Sequence, residues 1–197
     1  MNSRLTALYG GAFDPFHNGH LALVASLLNS GIVQDVLVVP SGDRPDKSVR
    51  ASGHDRLVMA RMAIEEFFPG DPRISVSDLH VAGQVGYGTI DLIDHYQQQG
   101  GVELLVVIGQ ELLKDLPQWK ESERLKRAAK FLVVHRPGTA VEALPAGWQM
   151  QEFAPPYQDG VVVSSSSLRA LLSTGLSCAG LMPARVIRYC CEKGLYR

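Results

Sequence analysis

The stretch LYGGAFDPFHNGH, Leu8 to His20, decides how the rest of the chain is read. A short apolar run (Leu5, Ala7, Leu8, Tyr9) stops at the glycine pair Gly10 and Gly11. A polar segment follows, with histidines at His17 and His20, and then Leu21, Leu23, Val24, Leu27 and Leu28 recur at helical spacing. The chain is therefore predicted to leave a strand, turn over glycines and enter a helix near Asn18, with both imidazoles at its first turn. A helix N-terminus carries unpaired N–H groups and a partial positive charge. Two imidazoles beside it make a place suited to an anion, most naturally phosphate.

Working outward, strand-like runs alternate with helical patterns. Val36 to Val39 is a β-branched run without polar alternation, as expected of a parallel strand covered on both faces. Ser41 to Ser52 reads as an exposed loop, His54 to Phe68 as an amphipathic helix, and Ile74 to Val76 as a strand. Thr89 to Gln99 reads as a helix after the glycine-rich Gly83 to Gly88, and Glu103 to Ile108 is the clearest buried strand, stopping at Gly109. A short helix is predicted around Glu111 to Leu116, another over Glu121 to Ala129, and a strand over Phe131 to Val134. Thr139 to Gly160 gives only weak strand signal near Met150 to Phe153. Val161 to Val163 reads as a short strand, and Ser167 to Leu172 and Ala184 to Lys193 as helices. This order predicts an α/β, Rossmann-like doubly wound parallel sheet with helices on both faces and C-terminal helices. In such sheets ligands bind beyond the carboxyl ends of the strands, so the segments after Tyr9, Val39, Ile108 and Val163 are expected to meet there.

Composition narrows the function classes. With 197 residues, 46% of them hydrophobic, one domain spanning 1–197 is expected. A net charge of −1 argues against a general nucleic-acid binder, so any anion site is local. The three cysteines, Cys178, Cys190 and Cys191, form no C-x-x-C pair, which indicates neither a disulfide framework nor a zinc knuckle. No signal-peptide pattern and no apolar run near the roughly 18 residues of a membrane span occurs. A reduced, cytoplasmic setting is the expectation. A metal pair at His17 and His20 lacks an obvious third ligand and is not in H-E-x-x-H order, so no protein-held metal is expected. Asp14 reads as a turn or capping residue.

GGAFDPFHNGH resembles the signature of the bacterial nicotinate mononucleotide adenylyltransferases, in the nucleotidyltransferase superfamily marked by a histidine-x-glycine-histidine motif. Three further places are similar in the expected order, covering nearly the whole chain. VSSSSLR, Val163 to Arg169, is similar to the family's I-S-S-T-x-I-R, with Ser166 keeping the hydroxyl of the usual threonine. Read on its own chemistry, a strand entering a serine-headed helix offers N–H groups and hydroxyls to phosphate, and Arg169 adds a forked cation. IGQELLKDLPQWK, Ile108 to Lys120, resembles I-G-A-D-x-L followed by tryptophan, with Glu111 in place of aspartate. The tail Met182 to Arg197 is similar to the family's terminal helix ending in G-L-Y and reads as packing.

The acceptor side departs from the pattern. The family's P-P-H-K appears as Arg44, Pro45, Asp46, Lys47, and its S-Y-T as Tyr87, Gly88, Thr89 with tyrosine displaced by one position.

The resemblance implies transfer of AMP from ATP to the 5′-phosphate of nicotinate mononucleotide, in the synthesis of NAD. It implies catalytic roles for His17, His20 and Arg169, and an ATP site formed by them with Gly10, Gly11, Phe13, Gly109, Glu111, Ser165 and Ser166. It places the acceptor at Lys47, Gly88, Thr89, Trp119 and Arg136, with the Gly88 segment's N–H groups on the nicotinate carboxylate and Trp119 stacked on the pyridine ring. Mg2+ is expected to arrive with ATP. The expected partners are these small molecules, not nucleic acid or membrane, with homo-oligomerisation left open. Nicotinamide mononucleotide or phosphopantetheine as acceptor, and a non-catalytic nucleotide-binding module, are the alternatives.

Overall fold

A computed structural model describes residues 4–43, 49–135, 144–156 and 163–197. Six strands form one all-parallel sheet: β1 (Arg4–Gly11), β2 (Asp35–Pro40), β3 (Ile74–Val76), β4 (Val102–Gly109), β5 (Lys130–Val134) and β6 (Gln149–Phe153). Their order across the sheet is β3-β2-β1-β4-β5-β6, the doubly wound arrangement expected from the sequence. Leu8 of β1 pairs with Leu37 on one side and Val106 on the other. The strand order reverses between β1 and β4, so the crevice at their carboxyl ends opens beside Gly10, Gly11 and Gly109.

Parallel strands need long crossovers, and helices on both faces supply them. The helices are α1 (Asn18–Asn29), α2 (Gly53–Phe67), α3 (Thr89–Gln99), α4 (Ser122–Ala128), α5 (Ser165–Ser173) and α6 (Ala184–Glu192). Successive strand residues point to opposite faces. Ala7, Val36, Val38, Leu105, Val107, Leu132 and Val134 therefore face one core, closed by Val24 and Leu27 of α1, Met59 and Ala60 of α2, Leu168 of α5 and Val186 of α6. Leu8, Leu37, Val39, Val106, Ile108, Phe131 and Val133 face the other, closed by Ile90, Leu92 and Ile93 of α3 and Leu125 of α4. Continuous apolar strands follow directly from this double covering.

Three details differ from the sequence reading. The segment after β4 is a 3-10 helix, Gln110–Gln118, that runs through Pro117 rather than stopping before it. Serine capping moves the start of α5 forward to Ser165, because the Ser164 hydroxyl accepts the Ser167 N–H at 3.1 Å. The strand expected over Val161 to Val163 is not seen at Val163, while Val161 and Val162 lie outside the described residues. The sixth strand is instead the weakly signalled Gln149–Phe153. No helix among the described residues is long and apolar enough to cross a membrane.

Candidate active site

The turn after β1 is built from close contacts. Phe13 has a positive φ of 53° and folds its ring back over Gly11, where an added Cβ would lie 2.8 Å from the ring, so any larger residue there must push the ring aside. Nothing lies within 4 Å of where a Cβ on Gly10 would be, so the rim of the crevice has room. Phe13 then meets His20 edge-on at 4.9 Å, and Phe16 meets it at 4.9 Å from another side. Phe13 and Phe16 also touch each other at 5.0 Å, so the three rings form one cluster that holds the His20 ring at the head of α1.

His17 caps α1 in extended backbone, and its N–H donates to Nδ1 of His20 at 3.1 Å. A backbone N–H can only donate, so Nδ1 of His20 must be the bare nitrogen and the ring proton sits on Nε2. The His20 ring therefore has an N–H donor on the edge away from its own backbone. His17 and His20 stack, centroids 3.6 Å apart and planes 22° apart. His17 is buried at 5% exposure, while His20 is half-buried. Two imidazolium rings in that stack would repel each other, so the geometry disfavours charging both at once.

The heads of α1 and α5 are neighbours. A Cβ on Gly19 would come within 3.8 Å of the Val163 carbonyl, just before α5. The peptides of Asp14 and Pro15 join the two. The Ser165 hydroxyl donates to the Pro15 carbonyl at 3.1 Å, and Nη1 of Arg169 donates to the Asp14 carbonyl at 2.7 Å. Nη2 of Arg169 donates to the Ser166 hydroxyl at 3.0 Å. The serine hydroxyls help build the site: Ser164 caps the helix, Ser165 ties it to Pro15, and Ser166 accepts from Arg169 while its own O–H can still donate. Phosphate contacts from this helix can come from its first-turn N–H groups, the Ser166 hydroxyl and the guanidinium.

Asp14 is not a cap. Its carboxylate, 4% exposed, accepts from Arg50 N–H at 2.8 Å, Ala51 N–H at 3.1 Å and the Tyr196 hydroxyl at 2.7 Å, with Nη1 of Arg169 3.9 Å away.

Arg56 is a site-building residue that sequence reading missed. It lies on α2, is wholly buried, and directs all five of its N–H groups to acceptors. These are the carbonyls of Ala51, Ala12 and Gly42, the Ser41 hydroxyl and the Asp43 carboxylate. Arg56 therefore fixes the loops after β1 and β2 to each other. An arginine among apolar helix positions was the available signal, since arginine is rarely buried without a full set of partners.

At the end of β4, Gly109 and Glu111 touch: a Cβ on Gly109 would collide with the Glu111 carboxylate. Gly88, Thr89, Trp119 and Lys120 also come together. The Lys120 stem lies over Gly88, where a Cβ would be 2.9 Å from its Cδ, and the Lys120 ammonium pairs with Asp91 at 2.6 Å. Trp119 is half-buried and rests on the second core. The Gly88 N–H, expected to receive a nicotinate carboxylate, instead donates to Asp91 at 2.9 Å, the same first-turn arrangement that His20 makes for His17. Burial pushes the Asp91 carboxyl up, but the Lys120 and Gly88 hydrogen bonds outweigh it and hold it below the usual carboxylate range. The segment before α3 is linked to the loop after β2, because a Cβ on Gly42 would collide with the His80 carbonyl and approach the Tyr87 ring to 2.9 Å. Lys47 and Arg136 lie outside the described residues.

Cys178, Cys190 and Cys191 are free thiols. Burial pushes the Cys190 thiol up to about 12, which leaves it inert at neutral pH.

A doubly wound sheet whose switch point is faced by a helix headed with HNGH is the architecture of a nucleotidyltransferase, and the Cytidylyltransferase-like family model matches residues 8–171. Probable nicotinate-nucleotide adenylyltransferases from Roseiflexus sp. (strain RS-1) and Sodalis glossinidius are 31% and 32% identical to the chain. The alignments cover 100% of both chains for the first, and 98% of this chain and 97% of the relative for the second. The chain belongs to the nicotinate-nucleotide adenylyltransferase family. A Plasmodium falciparum nicotinic acid mononucleotide adenylyltransferase complexed with NaAD shares the fold, with TM-score 0.84, 21% identity and coverage of 98% and 97% of the two chains.

Proposed function

We propose that the chain transfers AMP from ATP to the 5′-phosphate of nicotinate mononucleotide, giving deamido-NAD and pyrophosphate. A phosphate oxygen of the acceptor attacks the α-phosphorus of ATP, and the bond from that phosphorus to the bridging oxygen breaks. The acceptor is already an anion at neutral pH, so no general base is needed. What the protein supplies is alignment and stabilisation of charge growing on the phosphoryl oxygens. The observation that supports this reading is the joined heads of α1 and α5 beside the β1–β4 crevice, with His20 in the first turn of one helix and Arg169 on the other.

His17 and His20 would donate to the α- and β-phosphates, aided by the α1 N-terminus. Among the described residues two of the Arg169 N–H groups have protein acceptors, and the others would serve the β- and γ-phosphates. Gly10, Gly11, Phe13, Gly109 and Glu111 border the same crevice and would enclose the nucleoside. Among the described residues no group of three His, Cys, Asp or Glu side chains is placed to hold a metal. Mg2+ would come as part of the ATP complex.

Gly88, Thr89 and Trp119 would receive the acceptor's ring, with Lys47 and Arg136 on its phosphate. Because Asp91 already takes the Gly88 N–H, nicotinamide mononucleotide is a second reading for the acceptor. Pyrophosphate release measured with each mononucleotide separates them. Release with the acid supports the main reading, release with the amide alone supports the second, and release with neither overturns both.

A further inference from the structure

The tail that resembled packing material reaches the centre of the site. After α6, Leu195 N–H returns to the Cys190 carbonyl at 2.9 Å, and Tyr196 turns inward with φ 67°. Its hydroxyl ends 2.7 Å from Oδ1 of Asp14. Asp14 and Pro15 are the two residues whose carbonyls hold Arg169 and Ser165, at 2.7 Å and 3.1 Å, and so fix the head of α5. Two backbone N–H groups of residues 50 and 51 complete the Asp14 carboxylate. We propose that Tyr196 is a positioning residue for the triphosphate subsite: its hydroxyl fixes Asp14, and Asp14 fixes the Arg169 guanidinium and the start of α5. This rests on the reading that Arg169 and α5 bind the triphosphate. Burial and the bond to Asp14 push the phenol far up its range, so the hydroxyl is a donor at every working pH.

A second tail tyrosine gives an internal control. Tyr189 donates to Asp55 on α2 at 2.7 Å, fastening the tail without touching the Asp14–Pro15 link. The experiment compares Tyr196→Phe with Tyr189→Phe, measuring Tm, kcat and KM for ATP and for nicotinate mononucleotide. Tyr196→Phe is expected to raise the KM for ATP about tenfold and leave the acceptor's KM within about twofold, the size of one hydrogen bond to a charged group. Tyr189→Phe is expected to lower Tm and leave both KM values unchanged. Equal KM changes for both substrates, or a loss of Tm with unchanged kinetics in Tyr196→Phe, overturns the proposal. If Tyr196→Phe does not fold, Asp14→Asn decides, since it keeps an acceptor for the hydroxyl but loses the charge. The same ATP-selective rise supports the proposal, and any other pattern overturns it. Wild-type protein that releases no pyrophosphate with either mononucleotide overturns the functional reading itself, whereas an active wild type with kinetically normal variants overturns the role of Tyr196 alone.

Discussion

Replacing His20 separates its two jobs. In the native structure Nδ1 accepts the His17 N–H at 3.1 Å, the ring packs against both Phe13 and Phe16, and Nε2 carries the ring proton. His20→Ala removes all three. The capping hydrogen bond and two ring contacts together stabilise by roughly 2–4 kcal/mol, so Tm should fall by roughly 5–15 °C. His20→Asn is the sharper probe. Its Oδ1 is attached at the same position as Nδ1 and can accept the His17 N–H, while nothing replaces Nε2–H. It should recover about 1 kcal/mol of the stability lost by alanine. Both variants should lose on the order of 100- to 1000-fold in kcat, about 3–4 kcal/mol of transition-state stabilisation, as expected for one preorganised donor. Pyrophosphate release is followed with saturating substrates, alongside thermal melting. If activity rises in step with recovered stability, or if His20→Asn loses only a few-fold, the donor role is refuted and the histidine is structural.

Arg169→Lys keeps a positive charge but cannot reach Asp14 and Ser166 as a fork, and should lower kcat/KM for ATP at least about tenfold in steady-state assays. Trp119→Ala should raise the acceptor's KM more than that for ATP; equal effects on both substrates would mark a purely structural tryptophan. Arg56→Met leaves several buried acceptors unpaired at once, which costs about 3 kcal/mol or more and should lower Tm by roughly 6–12 °C in a melting experiment. Asp91 has its carboxyl held below its ordinary value, so its stabilising contribution is complete above about pH 4 and is lost as pH falls through the lower, folded-state value. The stability gap between wild type and Asp91→Asn, measured by denaturant titration, should therefore shrink in acid and stay constant from pH 5 to 8.

The fold was legible because buried parallel strands leave unmistakable apolar runs, as at Val36 to Val39 and Glu103 to Ile108, and because glycines and helix caps punctuate them. Local chemistry also placed His17 and His20 at a helix head, since three-residue spacing on a first turn fixes their proximity. Less visible were features made by residues distant in sequence. Asp14 does lie in a turn, as read, but its partners Ala51 and Tyr196 were invisible because they are set by tertiary packing. Arg56 was hidden in a helical pattern, because its five acceptors come from the loops after β1 and β2, which only the fold brings to it. The serine run suggested open hydroxyls, yet hydroxyls at a helix head find protein acceptors before any ligand arrives, as Ser165 does at Pro15. The same competition took the Gly88 N–H for Asp91. Short segments without periodicity, such as Gln149–Phe153, join the sheet through pairing with Lys130–Val134, a relation that the local sequence does not encode.

The arrangement at the head of α1 is tested most directly by a crystal structure of the protein with a non-hydrolysable ATP analogue. The account predicts a phosphate oxygen within about 3 Å of His20 Nε2, with Arg169 on the same triphosphate. A triphosphate seated away from the α1 and α5 N-termini, or one reached only after the His20 ring leaves its contacts with Phe13 and Phe16, would contradict it.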